Sequence, residues 1–250
     1  GGDVNTPDGP ARIDAGETIV SAGALHSPAI LLRAGIGPAE TLRKLGIEVI
    51  AARAGVGRNL QEHPTISISS HINYDARLAR TNQRRHIHVA ARYSSGTEGG
   101  LPNDMYLVAM SKTGWHPVGQ QIGSLMTWIN KAHSRGFVSL DSPDYRVEPR
   151  VEFGFLSDYR DVERLKVGMR LLARLYDTDA MKAVANDPFP TSYSERIRDL
   201  GIVSKKNYLL TKMLATMLDG PSWLRRMLLK HVVTEDAPVE KMMRDDDLLE

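Results

Sequence analysis

The stretch Glu17–Pro64 constrains the fold of this chain more than any other part of its sequence. It predicts a buried strand over 18–21, then a tight turn, then a helix that opens near 27–28, where a proline suits the first helical position. The turn consists of the small residues Ala22, Gly23 and Ala24. Without bulky side chains, its backbone N–H groups can approach an anion at the helix N-terminus. Taken alone, the pattern favours a plain strand-to-helix turn, and ligand binding is the alternative.

A second turn of small residues, Gly35–Gly37, precedes a short predicted helix over 39–45. The pattern favours a structural role, in which the glycines let two helices pack closely. The alternative is a helix-hairpin-helix module, whose turn offers backbone N–H groups to a DNA phosphate. Glu40 lies beside the turn and only Arg43 and Lys44 follow it, which is little positive charge for a phosphate-binding element.

The overall composition is that of an ordinary globular protein. The chain has 250 residues, of which 42% are hydrophobic and 25% charged, and a net charge of +2. This balance gives no broad basic field, so we expect no nucleic-acid partner. The absence of cysteine excludes disulfides and thiolate chemistry. No apolar run reaches the roughly 18 residues of a membrane span and no signal peptide is visible at Gly1, so we expect a cytoplasmic protein.

The sequence changes character after residue 64. Alternation of apolar and polar residues predicts a strand over 65–72, and further strands are predicted over 104–110, 122–130 and 151–156. Helices are predicted over 75–93, over 161–176 behind an Asp158 cap, and through most of 178–250. Successive strands with few crossover helices predict a mainly antiparallel sheet backed by helices.

Two ordered motifs resemble a known family. The run from Gly23 to Gly37, GALHSPAILLRAGIG, resembles the second signature of the FAD-dependent glucose-methanol-choline oxidoreductases, except that Ala34 replaces the usual serine. The run from Val56 to Pro64, VGRNLQEHP, resembles the Val-Gly-x-Asn-Leu-Gln-Asp-His-Pro segment of that family, with Glu62 in place of the aspartate. The strand over 133–140 resembles the family's Ser-Arg-Gly strand.

The resemblance implies an α/β plus α+β fold. Residues 1–64 would form the end of an FAD-binding Rossmann-like domain, and 65–250 a substrate domain with the antiparallel sheet. Five residues would lie near the FAD: Ala22, Gly23, Ala24, Asn59 and His63. For Asn59 and His63 the alternative is that they only satisfy local backbone groups. Phe153 and Phe155 would line a substrate pocket over the flavin, and plain core packing is their alternative.

The resemblance also implies an activity. The parent protein would oxidise a primary alcohol, choline-like or aryl/furanic, by hydride transfer to the flavin, and would pass the electrons to dioxygen or a quinone. The nucleotide-binding glycine motif and the catalytic histidine of the family would lie outside this chain, so we expect the isolated chain to be inactive and assign it no catalytic residue. A non-catalytic interaction domain is a further alternative.

Two histidine patterns are assigned no role. His86 and His88 would share one face of an extended segment, but no third ligand stands at a suitable spacing, so we expect no metal site. The sequence His116-Pro117-Val118-Gly119 resembles the family's catalytic His-Pro-x-Gly motif. It precedes the Ser-Arg-Gly strand, where the family does not place that histidine, so it is not assigned to catalysis.

Overall fold

The computed structural model describes residues 1–78, 85–191 and 195–232, with the side chains of 195–197 and 231–232 excepted. The chain forms two compact units. The first contains Gly1–Glu62 together with Ser134–Phe155, and the second contains His63–His133 together with the described residues from Leu156 onward. The predicted domains, 1–64 for the cofactor and 65–250 for the substrate, are defined by function, whereas the two units are defined by their internal contacts. The assignment of these functions remains a prediction.

The described residues contain twelve strands and seven helices. In chain order they are β1 (Gly2–Thr6), β2 (Gly9–Ile13), α1 (Gly23–Arg33), β3 (Ile36–Gly37), α2 (Ala39–Lys44), β4 (Ala51–Ala52), β5 (Arg58–Leu60), β6 (Thr65–Ile72), β7 (Ile87–Tyr93), β8 (Met105–Met110), β9 (Ile122–Ile129), β10 (Gly136–Ser139), β11 (Arg150–Glu152), α3 (Tyr159–Tyr176), α4 (Asp179–Val184), β12 (Ala185–Pro190), α5 (Glu195–Leu200), α6 (Lys205–Leu218) and α7 (Ser222–Val232).

Helix α1 is the centre of the first unit. Its buried residues Ala29 and Leu32 form an apolar core with Leu42 of α2 and Leu140, which follows β10. Behind the helix, β3 and β4 form the one parallel pair among the described strands. This combination of helices with a parallel pair is typical of an α/β unit.

The predicted strand over 18–21 is wrong. That segment is exposed and belongs to no strand, and Ile19 is 86% exposed. Four apolar residues make a strand only where a neighbour pairs with their backbone groups, and no described strand lies beside them. The helix start near 27–28 is wrong too, because α1 begins at Gly23 and carries Pro28 inside it. Ser27 Oγ accepts a hydrogen bond from the Ala22 N–H at 2.9 Å, which helps the helix to begin before the proline.

The second unit is built on a five-stranded sheet with the order β12-β6-β9-β8-β7, and every neighbouring pair is antiparallel. Helix α3 begins after Asp158, whose side chain accepts the Arg160 N–H, and covers one face of the sheet. The core between them includes Ile68, Leu125 and Leu172. The predicted antiparallel sheet backed by helices is therefore confirmed.

Two predicted helical regions contain strands instead. Residues 87–93 form β7, because their backbone pairs with that of β8, while 79–84 of the same predicted helix lie outside the described residues. Residues 185–190 form β12, which pairs with the edge of β6. Long-range pairing overrides local helix propensity in both places. The predicted helix beyond residue 232 also lies outside the described residues. No helix in the described ranges is long and apolar enough to cross a membrane.

Asp219, at the C-terminal end of α6, joins that helix to the sheet. It accepts hydrogen bonds from Arg77 at 3.0 Å and Gln121 at 2.8 Å, and its Oδ1 lies 3.0 Å from His71 Nε2. Burial opposes ionisation of Asp219, but the hydrogen bonds and charge of Arg77, with His71, outweigh burial and lower the pKa of the carboxyl. Because this pKa is lowered on folding, the carboxylate stabilises the fold at neutral pH, and that stabilisation disappears as pH falls through the folded pKa.

We expect Asp219→Asn to make the melting temperature less sensitive to pH in the acid range. The melting temperature of the native protein should fall steeply below about pH 4, where aspartate protonates. In Asp219→Asn that fall should be smaller, while the melting temperature at neutral pH should already be lower because one partner of Arg77 has lost its charge. Thermal unfolding monitored by circular dichroism across the acid range measures both effects. Parallel curves for the two proteins would contradict the role given to Asp219.

Candidate functional site

The predicted cofactor turn forms the first turn of α1 and is open. Ala22, Gly23 and Ala24 are all exposed, and a Cβ added to Gly23 would meet no protein atom within 4 Å. The N-cap residue, Ala22, makes no side-chain cap, and the first turn carries no acidic residue. Gly23 has a φ of +79°, a conformation that L-residues rarely adopt. Free N–H groups at the positive end of a helix, without side chains above them, suit a phosphate or another anion.

Asn59 and His63 belong to different units. Asn59 lies in β5 of the first unit with a φ of +58°, and its exposed side-chain amide makes no hydrogen bond to another described residue. The amide is therefore available to a ligand. His63 is exposed in the second unit, where its carbonyl accepts a hydrogen bond from Thr65 Oγ1 at 2.9 Å. Cofactor contact by these two residues remains a prediction.

Phe153 and Phe155 do not alternate along a strand, because β11 ends at Glu152. They stack on each other instead, with ring centroids 5.2 Å apart and planes inclined by 19°. Gly154 between them has a φ of +61°, and this reversal of the backbone accompanies the stacking. Phe155 is 50% exposed, so the pair presents an aromatic surface within the first unit rather than filling its core. Contact with a substrate remains a prediction.

Gly35 and Gly37 have a structural role. Both are buried, and a Cβ on Gly35 would lie 2.3 Å from the Glu48 carbonyl oxygen. A Cβ on Gly37 would lie 2.5 Å from Leu32 Cδ2 in α1. Gly37 therefore lies between Leu32 of α1 and Leu42 of α2, as expected for close packing of two helices, whereas Gly35 admits a backbone segment that is not helical. Their burial leaves no open turn for a DNA phosphate.

Ser27 has a role that was not predicted from the sequence motifs. Its hydroxyl holds the Ala22 N–H, so it fixes the conformation of the turn that the motif brings to the surface. A serine in front of a proline at a helix start is the signal that indicates such a role. In the described ranges, no group of three or more His, Asp or Glu residues is arranged to hold a metal ion.

The chemistry of this turn fits FAD. A dinucleotide has an anionic diphosphate, and the turn offers uncapped N–H groups, a positive helix end and no opposing carboxylate in the first turn. The open space at Gly23 allows the ligand to approach the backbone itself. An anionic diphosphate therefore fits this turn, and contact between FAD and Ala22, Gly23 and Ala24 remains a prediction.

Comparison with known proteins points in the same direction. A family model described as GMC oxidoreductase matches residues 5–65, and a second with the same description matches 132–201. The chain is 43% identical over 167 residues to 5-(hydroxymethyl)furfural oxidase of Methylovorus sp. strain MP688, covering 66% of this chain and 30% of that protein. It is 30% identical over 193 residues to an oxygen-dependent choline dehydrogenase of Rhizobium etli, covering 67% and 35%. None of the matches supports the nucleic-acid alternative.

The fold is shared with a solved oxidase. Pyridoxine 4-oxidase from Mesorbium loti superposes with a TM-score of 0.65 at 22% sequence identity, covering 75% of this chain and 38% of that one. The chain spans about a third of the length of the curated relatives named above. The two matched segments lie in the N-terminal to C-terminal order of the family and together span just over half of the sequence, so this chain belongs to the FAD-dependent GMC oxidoreductases.

Proposed function

We propose that this protein supplies part of the FAD site and the substrate domain of an enzyme that oxidises a primary alcohol. The observation that carries the proposal is the open, uncapped first turn of α1, which lies inside the family segment 5–65. Flavin, when bound, accepts the hydride of the alcohol carbon. The chain's own contribution is to bind and orient the cofactor and to surround the substrate.

The residues of the turn would hold the dinucleotide through the backbone. The N–H groups of Gly23 and Ala24 would donate to diphosphate or ribose oxygens, while Ser27 keeps the Ala22 N–H engaged. The side-chain amide of Asn59 and the ring of His63 would each donate to or accept from a polar group of the cofactor. All of the groups proposed to contact the cofactor lie in the two family motifs, 23–37 and 56–64.

The stacked rings of Phe153 and Phe155 favour one class of alcohol as the substrate. Stacked Phe153 and Phe155 offer a flat apolar surface that suits a ring-bearing alcohol better than a small polar one. The relative with 43% identity is named for a furanic substrate. We therefore propose an aryl or furanic primary alcohol as substrate, with a choline-like alcohol as the alternative and dioxygen or a quinone as electron acceptor.

Gly23→Val tests the cofactor site. The added Cβ meets no protein atom, so apart from the strain of a valine at a φ of +79°, FAD binding would suffer only if the ligand lies against Gly23. We expect the dissociation constant for FAD to rise roughly 10- to 100-fold, which corresponds to the loss of one or two backbone contacts with an anion. Flavin fluorescence titration of the full-length parent protein measures the affinity without relying on turnover.

Gly46→Val is the matched control. Gly46 lies in the same unit, has a φ of +71° and also faces open space, so its substitution introduces the same backbone strain away from the turn. Its FAD affinity should stay within about twofold of the unsubstituted protein once folding is matched by circular dichroism. Equal losses of affinity in the two variants would show that strain, and not contact with FAD, explains the effect.

A further inference from the structure

A cavity of about 160 Å³ lies inside the second unit, within a cluster of apolar side chains. It is enclosed by the connection between β8 and β9 on one side and by α5, α6 and α7 on the other. Most of its wall is apolar and comes from Val118, Ile122, Phe189, Leu214, Leu218 and Leu229. The lining residues include neither the turn Ala22–Ala24 nor the stacked Phe153 and Phe155.

The volume of the cavity matches a single ring. A cavity of about 150 Å³ lined by leucine, isoleucine and phenylalanine in another protein stays free of water and binds benzene. The cavity described above has nearly the same size and the same kind of lining. A nucleotide or a sugar chain is too large for this space, and a lone small ion would leave most of the apolar wall uncovered.

Two nitrogen-bearing side chains distinguish the cavity from a purely apolar void. His116 is half-buried, and burial lowers the pKa of its ring, so it is neutral at neutral pH. Its Nδ1 accepts the Gly119 N–H at 3.1 Å, which places the ring proton on Nε2. Nε2 donates to no other described residue.

Arg198, in the last turn of α5, is the second polar group of the wall. Its guanidinium makes no ion pair with any acidic side chain that the structure describes, and the described lining residues of the cavity include no carboxylate. The hydroxyl of Thr211 donates to the Asn207 carbonyl oxygen at 2.6 Å and so offers no proton to a ligand. The wall thus supplies a cation and a neutral donor beside an apolar space of ring size.

We propose that this cavity binds a small aromatic carboxylate of about the size of benzoate. The ring would occupy the apolar part, and the carboxylate would accept hydrogen bonds from the Arg198 guanidinium and from His116 Nε2. Arginine presents a planar pair of N–H groups that matches the two oxygens of a carboxylate. The site is separate from the proposed cofactor turn and does not depend on the proposed function.

Three probes separate the parts of the proposal by isothermal titration calorimetry of the purified protein. Sodium benzoate combines ring and carboxylate, toluene has the ring alone, and sodium acetate has the carboxylate alone. We expect benzoate to bind more tightly than toluene by roughly 10- to 100-fold, the contribution of a charged hydrogen bond, and acetate to give no measurable heat. Trp115 provides a second signal, because its ring contacts His116 at 5.8 Å between centroids and its Nε1 donates to the Gly201 carbonyl oxygen in the cavity wall.

Substitutions decide whether binding occurs at this place. Arg198→Met should weaken benzoate roughly 10- to 100-fold and leave toluene unchanged, whereas the matched variant Arg174→Met removes an exposed arginine of α3 and should change neither. Val118→Phe should fill the cavity and abolish both. Since Arg198 is exposed, its variant tests the site even if Val118→Phe does not fold. Equal binding of benzoate and acetate, equal effects of the two arginine variants, or no binding of benzoate would each overturn the proposal.

Discussion

Replacing Arg164 by methionine is expected to lower the free energy of unfolding by about 3–5 kcal/mol, the usual cost of removing one partner from a buried ion pair. Arg164 lies on α3 and is completely buried. Its Nε lies 3.3 Å from Asp104 Oδ2 and its Nη1 lies 3.4 Å from Asp161 Oδ1. Both carboxylates are also 0% exposed, so the substitution would leave two buried negative charges without their cation.

The same arginine fixes two backbone segments. Nη1 donates to the Lys131 carbonyl oxygen at 2.9 Å and Nη2 to the Gly99 carbonyl oxygen at 3.0 Å. Asp161 accepts the His133 N–H at 3.0 Å with each of its oxygens. Arg164 and Asp161 therefore both hold the connection between β9 and β10. A lysine has one point charge and lacks the planar fork that reaches these acceptors together, so Arg164→Lys should recover only part of the loss.

Urea denaturation followed by circular dichroism measures this loss, with Arg174→Met as the matched control. Arg174 is an exposed arginine on the same helix, and its substitution should change the unfolding free energy by no more than about 0.5 kcal/mol. Adding Asp104→Asn and Asp161→Asn to Arg164→Met should restore stability, because the buried charges are then removed with their partner. A loss below about 1 kcal/mol for Arg164→Met would contradict the importance of the ion pair.

Gly57→Ala is expected to lower the free energy of unfolding by about 3–5 kcal/mol. Gly57 has a φ of +79°, which costs an alanine about 1–2 kcal/mol. Its Cβ would also lie 2.1 Å from the Val138 carbonyl oxygen, a backbone atom of β10 that cannot rotate away. The clash would further disturb the hydrogen bond from the Val138 N–H to the Gly57 carbonyl oxygen, which is 2.7 Å long.

Gly46→Ala separates these two causes. Gly46 has nearly the same φ, +71°, but open space where the Cβ would stand, so only the strain of about 1–2 kcal/mol should appear. Hydrogen exchange locates the damage, because the Val138 amide should lose protection in Gly57→Ala and keep it in Gly46→Ala. Equal stability losses in the two alanine variants would mean that the first unit accommodates the methyl group beside β10.

Local sequence signals identified the elements whose own residues carry a helix cap or a clear period. Helix α3 was predicted within two residues of its start, because Asp158 caps it and its apolar residues recur at the helical period. The strands β6, β8 and β9 were predicted within one residue of their bounds, and alternation was the signal for β6. The turn at Gly23 and the family motif around it were also predicted from the sequence, because the spacing of small residues is a local property.

The tertiary structure decided every feature that depends on residues far apart in the chain. Residues 18–21 are apolar enough for a strand, yet no strand pairs with them, whereas β7 and β12 form because an edge of the sheet receives them. The sequence gives no sign that Gly57 must touch Val138 or that Arg164 meets Asp104, pairs separated by 81 and 60 positions. Periodicity and capping act over a few residues, while pairing, burial and close backbone approach depend on which distant segments fold against one another.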